Sequence, residues 1–302
     1  MSCTEVPRIT NLWSKVIDGE GGEWLSKVVL ESTRRFSSSV FEKKGSVVVE
    51  GRGVILNMPA GTIEVNDGLI KELHINSGEE GNCVTRLEVK LDFSADFYIK
   101  SVSGFPFRLE VYFNRGSIEK IFEGRKVVVD PAHGGRDTGG RGQVSLLEKD
   151  IVLLIAGNLE KLLARAGALP VMTRKEDVHL TLEERLGMAR AAGADAYIGI
   201  HNHAGPDKNV EGVFTLCKSD EKSRRLAELV QREVVKKLKA ADRGVAVNSE
   251  LSPLGDIPGI EVEVLAITNL VEEVFLRGLT VRKRAAEGIF NGLVKFFAKN
   301  GG

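Results

Sequence analysis

A chain of 302 residues is longer than most single domains, and 42% hydrophobic with 28% charged residues is the make-up of ordinary globular material. Lys and Arg number 42, as do Asp and Glu, so the net charge is zero and no whole-molecule field points to nucleic acid or an anionic membrane as partner. No apolar run approaches the roughly 20 residues needed to cross a bilayer.

Met1 to Thr10 include Glu5, Pro7 and Arg8 and lack the apolar core of a secretion signal. Cys3, Cys83 and Cys217 are far apart, odd in number and without a Cys-x-x-Cys. They read as buried or incidental, neither a disulfide framework nor a thiolate metal site. Residues 1–115 are strand-rich. Leu87, Val89, Leu91 and Phe93 alternate with charged or polar residues, and Leu109, Val111 and Phe113 repeat the device. Further apolar runs at Lys27–Leu30, Val47–Val49 and Val54–Leu56 are separated by turn signals such as Lys44-Gly45 and Asn66-Asp67-Gly68. This spacing predicts a small all-β sandwich. Its one histidine, His74, has no acidic or His companion at ligand spacing and reads as a strand residue. Trp13 and Trp24 read as packing residues rather than a sugar platform. The module binds or positions; it holds no catalytic set. Residues 116–124 are the expected linker.

From residue 125 to 302 the hydrophobic period changes from 2 to 3.6. Val127–Val129 is a buried strand stopped by Asp130-Pro131, with His133 on the glycine-rich turn beyond it. Ile151, Val152, Ile155, Leu159 and Leu163 share one helical face, which Gly167 closes. Thr181-Leu-Glu-Glu184 is a capping box, and Gly193 ends the helix it starts. Ala196–Ile200 runs as a buried strand into His201, Val213–Leu216 is another, and Ile260–Ile267 another still. Helices are predicted over about 219–239 and 282–299. Alternating strands and helices predict an α/β domain, a mostly parallel sheet with helices on both faces. The long connection Val245–Ile257 is a candidate lid.

His133, Glu148 and His201 come from elements whose ends meet at one sheet edge. Two neutral imidazoles and one carboxylate are the donor set of a catalytic zinc with a fourth position open. Glu261 and Glu263 share one parity in an apolar strand, and alternation does not choose which of them is a general base. Asp130 is either an acceptor orienting His133 or a turn residue, and Arg136 or Asp137 can do either job. His179 reads as solvated.

On these residues the second domain resembles the zinc-dependent N-acetylmuramoyl-L-alanine amidases that cut bacterial peptidoglycan. Val127-Val-Val-Asp-Pro-Ala-His-Gly-Gly135 looks like that family's opening motif, with Ala132 where glycine is usual. Leu147-Glu-Lys-Asp150 matches the segment of its ligand glutamate, Ile200-His201 that of its second ligand histidine, and Met172-Thr-Arg174 and Leu182-Glu-Glu-Arg185 its structural landmarks. Asn202-His203 stands where the family usually has Ala-Asn, so His203 is read as a rim residue. Pro258-Gly-Ile-Glu-Val-Glu263 resembles the segment ending in the catalytic glutamate, which settles on Glu263; Leu265-Ala266 departs from the usual Gly-Phe, and Thr268-Asn269 fits.

The resemblance implies Zn2+ on His133, Glu148 and His201, with Glu263 catalytic, and hydrolysis of the amide between N-acetylmuramic acid and L-alanine. It also implies a monomer acting on peptidoglycan in the wall or periplasm, its leader absent from this chain, with no nucleic-acid or membrane partner. The first domain looks like the AMIN-like sandwich that targets such enzymes to the wall. No amphipathic insertion is left over between His201 and Glu263 to plug the site. The rival readings are a silent wall-binding protein and a zinc carboxypeptidase acting on stem peptides.

Overall fold

The computed structural model describes residues 6–78 and 83–298; Cys3 lies outside them. The chain divides into two compact units, Met1–Ile118 and Glu119–Gly302.

The first unit is built from β1 (Arg8–Asp18), β2 (Trp24–Ser32), β3 (Ser37–Lys43), β4 (Ser46–Arg52), β5 (Ile55–Leu56), β6 (Gly61–Glu64), β7 (Ile70–Ser77), β8 (Val84–Leu91), β9 (Phe97–Val102) and β10 (Phe107–Asn114). They form two five-stranded sheets, ordered β5-β1-β2-β10-β9 and β3-β4-β8-β7-β6. Of the alternating residues, Leu87, Val89, Leu109, Val111 and Phe113 are buried, whereas Leu91, at the end of β8, and Phe93, beyond it, are only partly buried. A buried arginine links the strands: Arg115 donates to Ser26 Oγ and to the Asp67 carbonyl, both at 2.7 Å. Its guanidinium also lies 4.1 Å from the Trp24 ring. Trp24 is therefore a packing residue, and His74 is a strand residue bonded to Thr62.

The expected linker holds a helix, α1 (Gly116–Phe122). Phe122 is fully buried, stacked 5.1 Å from Phe290 and edge-on to Phe297 at 5.8 Å. Seven residues are too few to show a 3.6-residue period, so the helix escapes a pattern reading.

The second unit then runs β11 (Lys126–Pro131), α2 (Glu148–Arg165), β12 (Leu169–Met172), α3 (Leu182–Ala192), β13 (Ala196–His203), β14 (Val213–Cys217), α4 (Glu221–Leu238), β15 (Asp242–Val247), β16 (Gly259–Ala266), α5 (Leu270–Arg277) and α6 (Leu279–Ala298). The sheet order is β12-β11-β13-β16-β14-β15, and every pair is parallel except β14 with β16. β11 is followed by β12 on one side and β13 on the other, so the strand order reverses around it. In open α/β sheets that reversal leaves a crevice at the carboxyl ends of the strands, where ligands bind.

The capping box at Thr181 and Glu184 is formed, and Gly193 closes α3 in the left-handed conformation. The candidate lid is instead a packed wall. Its first residues belong to β15, and Ser249–Leu254 form a 3-10 turn whose Leu251 and Leu254 are buried with Leu186, Ala189 and Tyr197. The two apolar side chains that anchor it are spaced three apart, as one face of a 3-10 turn requires.

Phe122 belongs to the second unit's core although it precedes the first strand of the sheet. A chain beginning at residue 125 should therefore be less stable in urea than one beginning at 119, by about 3 kcal/mol, the scale for losing a buried phenylalanine. Phe122→Ala in the longer chain should reproduce most of the loss. Equal urea midpoints for the two truncations would show that the aromatic stack contributes nothing.

Candidate metal centre

His133 follows β11 directly and sits at φ 60, in the left-handed region. Two buried arginines hold it there. Arg185 donates to the His133 carbonyl at 2.7 Å and to the Pro131 carbonyl at 2.9 Å. Arg174 donates to the Pro131 and Ala132 carbonyls, each at 2.9 Å. Asp130 does not orient His133. Its carboxylate instead receives Arg185, Tyr197 and Thr173. The acceptor for His133 Nδ1 is Asp137, at 2.9 Å. That bond fixes the ring so that Nε2 is its inward atom.

Glu148 opens α2 and is 2% exposed. Its Oε2 accepts from Gly140 N at 2.7 Å, and its Oε1 from Asn202 N at 2.9 Å. His133 Nε2 and His201 Nδ1 each lie 3.3 Å from the same Oε1. The three ligand atoms fall within 4.8 Å of one another. Two donors on one tetrahedral first-row ion, each about 2.1 Å from it, stand roughly 3.4 Å apart, so the group fits such an ion. The loop between His133 and Glu148 reaches this density through Gly139, at φ 64. A Cβ there would fall 2.5 Å from His133 Cδ2 and 2.7 Å from Glu148 Oε2. A further buried carboxylate, Glu273 of α5, staples the loop by accepting from Val144 N at 2.8 Å and Leu146 N at 3.1 Å.

The outer nitrogen of His201, Nε2, lies 3.9 Å from Glu261 Oε1. Glu261 thus stands behind His201, away from the inward Nδ1, and Asn248 Nδ2 donates to its other oxygen at 2.8 Å. Glu263 pairs with His201 across β13 and β16. Both glutamates line a cavity of about 360 Å3 together with His133, His201 and Asn248. His203 does not join the trio; its Nδ1 lies 3.0 Å from Glu263 Oε2. Arg243 reaches the same oxygen at 3.2 Å. His179 is exposed, as read.

Sequence reasoning found the trio but missed Arg243, Glu273 and the backbone donors Gly140 and Asn202. Arg243 lies on a short edge strand with no clear alternation, and a backbone N–H carries no residue-type signal at all.

The charges balance within the trio. Burial alone would raise the Glu148 carboxyl, but hydrogen bonds from His133 and His201 hold it far below its usual range. Burial alone would lower His201, yet the Glu148 hydrogen bond and the carboxylates of Glu261, Glu148 and Asp130 push it up to about 9. His133 is likewise raised, chiefly by Glu148 against the effect of burial.

A family model described as N-acetylmuramoyl-L-alanine amidase, Amidase_3, matches residues 127–295. The chain is 33% identical over 178 residues to the N-acetylmuramoyl-L-alanine amidase LytC of Bacillus subtilis, covering 58% of this chain and 36% of LytC. This chain thus spans about a third of that relative. It is 27% identical to the amidase AmiC of Escherichia coli O6:H1, over 90% of this chain and 87% of AmiC. Among solved structures, the N-acetylmuramoyl-L-alanine amidase of Clostridium difficile 630 superposes with a TM-score of 0.57 at 29% identity, over 59% of this chain and all of that one.

The raised His201 gives a sign for pH dependence. Its folded value exceeds the ordinary 6.5, so its contribution to stability is complete below about 6.5 and is lost as pH rises through about 9. The depressed Glu148 contributes above its ordinary 4.5 and loses that contribution on acidification. Metal-free protein should therefore melt progressively earlier from pH 6.5 to 9. Added divalent metal should stabilise it more strongly at the alkaline end, because the ion needs unprotonated imidazoles. A metal-free melting temperature that rises across this window would contradict the charge arrangement.

Proposed function

The chain belongs to the Amidase_3 family of N-acetylmuramoyl-L-alanine amidases, and on that premise we propose that it is a zinc hydrolase cutting the amide between the lactyl group of N-acetylmuramic acid and L-alanine in peptidoglycan. His133 through Nε2, His201 through Nδ1 and Glu148 through Oε1 are the ligands, and Glu263 is the catalytic base. The observation that carries the reading is the convergence of both imidazoles on one buried carboxylate oxygen at 3.3 Å. Two nitrogens and one oxygen at tetrahedral spacing favour zinc among the common divalent ions.

The bound ion supplies Lewis acidity, polarising the scissile carbonyl and acidifying water. The protein's own groups do the rest. Asp137 holds His133 in the tautomer that presents Nε2, and Glu261 lies behind His201 at the nitrogen not used inward. Glu263 accepts the proton of the attacking water and passes it to the leaving nitrogen. The water oxygen ends in the new lactyl carboxylate, the C–N bond breaks, and L-alanine gains a free amine. All these groups lie on one chain, so a monomer would hold a complete site. Its site of action is then the wall, and no helix among the described residues is long and apolar enough to cross a membrane.

For the first unit we infer an AMIN-like role, tethering the enzyme to the wall. Its two-sheet architecture and the alignment with AmiC over most of this chain support that reading. Removing residues 1–118 should then lower activity on intact sacculi, through lost local concentration, while leaving soluble muropeptides cleaved at the same rate. Equal loss on both substrates would contradict a tether.

Mass spectrometry of muropeptides should show free stem peptides beginning with L-alanine, and a chelator should abolish them. Loss of only a terminal residue would indicate a carboxypeptidase, and no product a silent binder. Glu263→Gln should retain its zinc and lower turnover by about 10²- to 10⁴-fold, the usual contribution of a general base. His133→Ala or His201→Ala should lose the metal itself. A Glu263→Gln enzyme with normal turnover would move the base elsewhere, Glu261 first.

A further inference from the structure

Two interruptions of regular pairing converge on Glu263. Between β13 and β16 the register runs His201 to Glu263 and then His203 to Ala266, so one residue of β16 is extra. Leu265 takes up the bulge at φ 61. In unbroken pairing His203 would stand opposite Leu265; with the bulge its ring lies against Glu263 instead, Nδ1 to Oε2 at 3.0 Å. Bulges next to catalytic clefts re-aim side chains in this way.

A second irregularity separates the Val213–Asp242 and Thr215–Val245 pairs of β14 and β15, with Gly244 at φ 83. It lets Arg243 leave the edge strand and cross Phe214, which is itself the antiparallel partner of Glu263. The guanidinium lies 5.1 Å from the Phe214 ring and 3.2 Å from Glu263 Oε2. Two donors from strands on opposite sides of β16 thus meet on one carboxylate oxygen. Among the described residues nothing donates to the other oxygen, Oε1.

We propose that Arg243 and His203 are positioning residues for Glu263: together they fix Oε2, stop rotation of the carboxylate and present Oε1 to the cleft. A base must lie within hydrogen-bond reach of the proton it takes, and an error of about 1 Å can cost roughly 10²-fold in rate. A carboxylate held on one side by two fixed donors is preorganised for that task; an exposed single ion pair would not be. This inference rests on Glu263 being the base.

The test measures kcat, KM and zinc content of Arg243→Gln, Arg243→Lys and His203→Ala, alone and combined with Glu263→Gln. Arg243→Gln and His203→Ala should each keep zinc and KM and lose about 10-fold in kcat. Arg243→Lys should recover most of the loss, since an ammonium still reaches Oε2. In the Glu263→Gln background neither substitution should cost anything more, because the group they position is gone. A readout free of turnover is the imidazole nitrogen spectrum of the metal-free protein: His203 should carry its proton on Nδ1, and Glu263→Ala should expose that proton to fast exchange. If Glu263→Gln is dead while Arg243→Gln and His203→Ala turn over normally, the clamp is wrong and the base assignment stands. If Glu263→Gln is itself active, the base assignment fails and the clamp with it. Zinc loss, or an equal rate penalty with and without Glu263, would show that the pair acts on the fold, which overturns the proposal.

Discussion

Glu148 is 2% exposed, and a carboxylate taken that far from water costs several kcal/mol unless it is paired and hydrogen-bonded. Much of the second unit's local geometry answers that constraint. The chain doubles back so closely at Gly139 that no side chain fits there, and Gly140 N reaches Oε2. β13 ends where Asn202 N can reach Oε1. The first turn of α2 adds its favourable end of the helix dipole. These neutral donors do not use the full acceptor capacity of Oε1, which is where the two imidazoles converge. The same carboxylate that needs compensation for the fold therefore attracts either protons, through His133 and His201, or a metal ion. Proton and metal ion compete for one arrangement, and that competition couples metal binding to pH.

A second layer fixes what the carboxylate gathers. Asp130, Thr173, Tyr197 and Arg185 form a buried network at the end of β11. With Arg174 that network occupies the carbonyls of Pro131, Ala132 and His133. Left without donors, those carbonyls would be costly inside the protein. With them, the left-handed His133 is held in one orientation. Glu273 does the same for the far end of the loop, through Val144 and Leu146. Glu148 and His201 stand on a helix and a strand, and the loop that carries His133 is tied to α3 through Arg185 at one end and to α5 through Glu273 at the other, which gives a site of this kind its precision.

The trio and the alternating core strands were legible in the sequence because their signals are local: a histidine ending an apolar run, or Leu87-Val89-Leu91 at period two. The edge strands β3, β6 and β9 were not, because almost every residue in them is exposed and no apolar face marks them. α5 was missed for the opposite reason: Leu270, Val271, Val274 and Phe275 are exposed, so its apolar residues do not point to a core. The role of Asp137 over Asp130 was undecidable from spacing, since both lie within reach of His133 in the chain. What separated them was Arg185, 55 residues downstream of Asp130, which takes that carboxylate for itself. Leu265 stands where the resembled family usually has glycine, and it adopts a left-handed backbone that glycine takes more easily than leucine.

The most direct test of the account is anomalous diffraction from crystals grown with zinc, measured on both sides of the zinc absorption edge. One strong difference peak is expected, bounded by Nε2 of His133, Oε1 of Glu148 and Nδ1 of His201 and within about 2.3 Å of each. A peak at Nε2 of His201 beside Glu261, or zinc bound elsewhere with the trio empty, would contradict it.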